Sequence, residues 1–86
     1  MDPRGRIRQI ARSWIEDLEA GALFYLNDLY RFLKRDFRDL CDEAGLSQSG
    51  QPEYQHYARF AVQDCKGEML LIHAGVGRWQ RVKWFR

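Results

Sequence analysis

Apolar positions along the chain fall into three helical patterns and three short β-rich runs. Ile7, Ile10, Ala11, Trp14, Ile15 and Leu18 recur at helical spacing and predict one apolar helix face over residues 3–19. Asp2-Pro3 precedes it, an acid able to cap free amides followed by a proline suited to the first helical position. Gly21 fits a stop after the last turn. Ala22-Leu23-Phe24-Tyr25 is apolar but too short for a helix, so 22–25 predicts a brief strand. Asn27 or Asp28 can then cap a second helix over 27–44. Its inward stripe is Leu29, Phe32, Leu33, Phe37, Leu40, Cys41 and Ala44, with room for a break near Asp36-Phe37, and Gly45 ends it.

Leu46 to Pro52 is polar and rich in Ser, Gln and Gly, the one true loop of the chain. Pro52-Glu53 opens a third helix over 53–66, with Tyr54, Tyr57, Ala58, Ala61 and Cys65 on one face, Phe60 and Val62 flanking it, and Gly67 closing it. From there the period turns strand-like. Met69 to Ala74 is β-rich, Gly75-Val76-Gly77 is a turn, and Trp79 to Trp84 alternates, with Gln80, Val82 and Trp84 on one side and Trp79, Arg81 and Lys83 on the other. This predicts an antiparallel hairpin over 69–84. An isolated hairpin is marginally stable, so the 22–25 strand is expected to join it as a third. The expected fold is α+β. Residues 1–86 form a single winged helix-turn-helix domain, three helices with a small antiparallel sheet, in the order helix, strand, helix, helix, strand, strand.

Length and composition agree with one globular domain: 86 residues, 45% hydrophobic and 30% charged, with seven glycines and two prolines. The longest apolar run, Met69 to Ile72, is far short of the roughly 20 residues a membrane span needs. No apolar stretch follows the basic residues at the start, so no secretory signal is read there. Cys41 and Cys65 are too few for a disulfide-held secreted scaffold and are read as buried thiols in a reducing compartment. The expected location is cytoplasmic, with no membrane partner.

Charge changes the picture more than composition does. The formal net charge is only +2, yet residues 1–12 hold Arg4, Arg6, Arg8 and Arg12 against Asp2, and residues 75–86 hold Arg78, Arg81, Lys83 and Arg86 with no acid. Residues 13–74 carry six basic and eleven acidic side chains. Cationic ends on an acidic body are the footprint of a polyanion binder if the ends meet in space.

The segment Pro52-Glu53-Tyr54-Gln55-His56-Tyr57-Ala58-Arg59-Phe60-Ala61-Val62-Gln63-Asp64-Cys65-Lys66, then Leu70-Leu71-Ile72 and Gly75-Val76-Gly77-Arg78-Trp79, resembles the N-terminal winged-helix domain of Mrr-type restriction proteins. Those domains show a Tyr, an Arg, an aromatic-Ala pair, a Leu-Lys step and a Gly-x-Gly-x-Trp wing. Tyr54 or Tyr57, Arg59, Phe60-Ala61, Cys65-Lys66 and Gly75/Gly77/Trp79 stand in the matching places. The pattern departs at Cys65, where Leu is usual, and at Met69, where a Gly usually ends the helix. Residues 52–82 carry the likeness, and the first fifty share only the layout. The resemblance implies a DNA-binding module, joined to a nuclease or another defence protein in many members. No such catalytic domain is present in residues 1–86.

Helix three is the expected reader. Its outer side carries Gln55, His56, Arg59, Gln63 and Lys66, and Gln and Arg can each make bidentate hydrogen bonds to base edges. Asp64 on the same stretch would repel phosphate and argues for an ordinary polar face. Arg78 and Arg81 on the wing are candidates for phosphate or minor-groove contact, though cations also protect an edge strand. Arg4, Arg8 and Arg12 form one row on helix one; Arg4 and Arg8 are candidates for an anion, and Arg12 can instead pair with Glu16. Trp14, Trp79 and Trp84 can stack on bases or fill a small core. Chemistry is thin. Glu53-x-x-His56 has the spacing of carboxylate-bridged metal helices without the second copy that chemistry needs. His56, His73, Cys41 and Cys65 do not form zinc-type ligand pairs, and there is no phosphate-cradling loop or nucleophile elbow. The sequence therefore predicts no enzyme, metal or cofactor. It predicts a duplex DNA binder that acts with a dimer partner or within a larger parent protein, as a restriction or defence targeting domain or a small regulator. The alternative is a protein-interaction module on the same fold, using the acidic face.

Overall fold

The structure is a computed structural model and describes residues 2–82. It is α+β: α1 (Pro3–Glu16), β1 (Leu23–Tyr25), α2 (Leu26–Asp36), α3 (Arg38–Ala44), α4 (Glu53–Gly67), β2 (Leu71–Gly75) and β3 (Arg78–Arg81). The three strands form one antiparallel sheet in the order β1-β3-β2. β1 thus supplies the hairpin with its third strand, Phe24 standing opposite Trp79 and Leu23 opposite Gln80. The side of the sheet bearing Phe24, Leu71 and Trp79 closes onto the helices. The core there is Ile7, Ala11 and Ile15 from α1, Leu29 and Leu33 from α2, Cys41 and Ala44 from α3, and Tyr54, Ala58, Ala61, Val62 and Cys65 from α4. Trp14 fills the gap beside it, edge-on to Phe24 at 5.1 Å and stacked on Phe32 at 5.8 Å. Both cysteines are free and buried, and desolvation pushes the Cys65 thiol up to about 11.

Element ends differ from the sequence pattern where tertiary contacts intervene. α1 is capped by the Asp2 side chain, which accepts from the Gly5 amide at 2.9 Å, but it ends at Glu16 rather than near 19. Leu18 folds back onto the Ile15 carbonyl, and the Gly21 amide donates to the Arg81 carbonyl at 2.6 Å, drawing the chain into the sheet. The helix expected over 27–44, with room for a break near Asp36-Phe37, is two helices, broken at Phe37 (φ −134°, ψ 41°). The Phe37 ring packs edge-on against Phe32 at 5.7 Å, which a continuous helix would turn elsewhere. α2 begins at Leu26, not after Asn27, and the Asp28 carboxylate accepts from the Tyr25 amide at 2.8 Å.

Gly67 does not close α4. The closing residue is Met69, at φ 65°, with the Met69 amide donating to Lys66 and the Leu70 amide to Cys65. That is a Schellman pattern with methionine in the place that favours glycine. Because Met69 is spent on the cap, β2 starts at Leu71 rather than at 69. The hairpin turns through Val76-Gly77, with one extra residue, Ala74, bulged out of the β2 register. The expected continuation of β3 through Lys83 to Trp84, and Arg86 beyond it, lie outside the described residues.

Candidate nucleic-acid interface

α4 shows two differently charged sides. One faces α1 and carries the acids. Arg4 approaches Glu53 at 3.4 Å, Arg8 grips both Asp64 oxygens at 2.7 Å, and Arg12 meets Glu68 at 2.6 Å. Arg12 also stands 3.8 Å from Asp64 and from Glu16, so the intrahelical partner expected for it is one of three. The pairs follow the same order along both helices. The Arg8 guanidinium further covers the Phe60 ring at 5.2 Å. Its hydrogen bonds hold the Asp64 carboxyl below the usual carboxylate range, and Asp64 in turn raises Arg8.

The other side of α4 is open and holds no acid. Arg59, Gln63 and Lys66 are exposed there, and Gln55 continues the stripe toward the helix start, half buried, with its amide donating to the Tyr54 hydroxyl at 3.2 Å. A helix places such i, i+4, i+7 positions on one face. Arg59 donates to the Tyr30 hydroxyl at 3.1 Å, so α2 sets its direction. Lys66 lies over the Trp79 ring at 5.9 Å, which joins the stripe to the sheet. Neither Arg59 nor Lys66 has a carboxylate partner among the described residues. His56 sits between these sides, its ring 4.5 Å from Phe60 and its Nδ1 3.5 Å from Glu53.

The two hairpin arginines part company. Arg78 stands opposite Tyr25 on the outer face of the sheet, its guanidinium 5.7 Å from that ring, while Arg81 pairs in register with buried Leu71 on the inner face and donates to the Val82 carbonyl. The Nε atoms of both are buried with no hydrogen-bond partner among the described residues. Trp79 is 8% exposed and belongs to the core.

Of the positions singled out by sequence, the fold therefore gathers Gln55, Arg59, Gln63 and Lys66 onto one face, with Arg78 on the neighbouring sheet. It turns Arg4 and Arg8 away from that face and gives each a carboxylate. Tyr30 and His73 border the stripe without having been singled out for it. Tyr30 is 29 residues from Arg59, and no local pattern links them. His73 was legible in principle: strand pairing across the Gly75-Val76-Gly77 turn puts it beside Trp79, and the rings lie 5.0 Å apart.

Two grooves, of about 520 and 430 Å³, lie on the far side of α1, share Arg6 and Phe37, and carry no part of this stripe. Among the described residues there is no cluster of three or more His, Cys, Asp or Glu able to hold a metal, and no helix is long and apolar enough to cross a membrane. What fold and site define is an α+β domain whose fourth helix is acidic where it meets α1 and cationic where it meets solvent. Compared with family models, curated proteins and solved structures, the chain matches none.

Proposed function

We propose that this chain is a winged-helix module that binds duplex DNA, with α4 as the reading helix and the β2–β3 hairpin as the wing. The observation that carries the reading is the charge segregation on α4. Every acid on or capping that helix is paired with an arginine of α1, and the solvent-facing stripe keeps Gln55, Arg59, Gln63 and Lys66. Asp64, which argued against phosphate, is thereby neutralised by Arg8. Gln and Arg side chains suit base edges, Lys66 suits phosphate, and Arg78 and Arg81 add cations on the hairpin. The three-stranded antiparallel sheet supports the winged-helix arrangement expected from the sequence, with α2 and α3 together in place of its second helix. The role as targeting domain of a restriction or defence protein, or as a small regulator, rests on that resemblance.

Titration of the 86-residue chain with random-sequence duplex at low salt, followed by fluorescence anisotropy, tests the reading. Wild type is expected to bind, and Arg59→Ala or Lys66→Ala to bind several-fold more weakly with unchanged melting temperature. No binding by wild type at any salt would sink it. One observation favours a second reading, docking of another protein: Leu23, Tyr25 and Ile72 stand about half exposed together on the outer face of the sheet. In that case substitutions there, and not on α4, would abolish partner capture.

A further inference from the structure

Where α4 meets the wing, three side chains from three elements come together outside the stripe's base-reading positions. Lys66 of α4 lies 5.9 Å from the Trp79 ring centre, and His73 of β2 lies 5.0 Å from the same ring. Lys66 and His73 are both exposed, while the indole between them is almost wholly buried. Both polar side chains thus border the same buried ring, one from each neighbouring element.

We propose that Lys66 and His73 form a phosphate subsite for one backbone phosphodiester of the bound nucleic acid, with His73 a contact that strengthens when its imidazole is protonated. The inference rests on the DNA-binding reading and adds to it a residue and a pH dependence. The charged groups around His73 favour an anion. From α4, Lys66 contributes a cation, while Asp64 and Glu68 are held by Arg8 and Arg12. From β3, Trp79 stands directly opposite, Arg81 lies further along the same face, and Arg78 points to the other face. Neither Lys66 nor His73 forms an ion pair with a carboxylate among the described residues. His56, the second histidine, faces Glu53 at 3.5 Å and lies outside this pair.

An imidazole changes charge between about pH 5 and 8. Each phosphate neutralised adds about 0.9 to the slope of log affinity against log salt. Two measurements on the whole chain test the subsite. First, the titration of the His73 ring is followed by NMR with and without a short duplex, and its midpoint is expected to rise in the complex. Second, the salt slope of duplex binding is expected to steepen by about 0.9 between pH 8 and pH 5.5 in wild type and to lose that increment in His73→Gln. If the α4 resonances move on adding duplex while the His73 titration stays put, the subsite is overturned and the DNA reading survives. If no resonance moves, both fall. Inorganic phosphate serves as the second probe, and a response of His73 to it as strong as to duplex would overturn the assignment to a backbone phosphodiester.

Discussion

The Arg8 guanidinium meets both oxygens of Asp64 at 2.7 Å, and the pair is only partly screened, its side chains 42% and 23% exposed. Geometry of this bidentate kind is stronger than a single ion contact, yet the exposure keeps its worth near the surface range, about 0.5–1 kcal/mol. Arg8 holds the folded-state Asp64 below its usual value, so the unfolded chain takes up the proton more readily. The pair's stabilisation is therefore complete above about pH 4, the ordinary aspartate value, and is lost as pH falls through the depressed folded one. Thermal melts at pH 7 and pH 3 are expected to show Asp64→Asn less stable than wild type at pH 7, by a margin that narrows at pH 3. Equal melting at both would show that the pair contributes nothing. Sequence reasoning read Arg8 and Asp64 separately, because a contact across 56 residues leaves no local trace.

At the scale of elements, α4 ends on a compromise. Met69 occupies a left-handed conformation that costs an ordinary side chain roughly 1–2 kcal/mol, and its own side chain is exposed. Glycine adopts that conformation freely but loses more entropy on folding, which offsets part of the gain. Met69→Gly is thus expected to stabilise by about 0.5–1 kcal/mol and to raise the melting temperature by a few degrees, measured by differential scanning calorimetry. A drop would mean that the Met69 side chain contributes more than its exposure suggests. The stop signal was misplaced in the sequence for a simple reason. Gly67 stands near the helix end and satisfies the composition rule, but the Schellman hydrogen bonds from residues 69 and 70 choose the cap. The Phe37 break was allowed for by sequence, since the stretch is long for one helix; periodicity continues through it, and the Phe32 contact decides it.

For the whole molecule, what matters is where the cationic ends finish. Among the described residues the α1 arginines do not join the open stripe of α4, because Arg4, Arg8 and Arg12 are paired with its acids. This separates contact from support. Under the proposed function, Lys66→Ala should flatten the salt slope of duplex binding by about 0.9, whereas Arg8→Ala should weaken binding by exposing the Asp64 charge without changing the slope. A slope change for Arg8→Ala equal to that of Lys66→Ala would place Arg8 on the nucleic acid instead. By itself the sequence determined the helical stripes, the polar loop, the hairpin and its glycines, since each depends on spacing and turn chemistry within a dozen residues. Only the tertiary structure decided which charges remain free. Ion pairing depends on which helices pack side by side, and residues 8 and 64 become neighbours only after the core has closed.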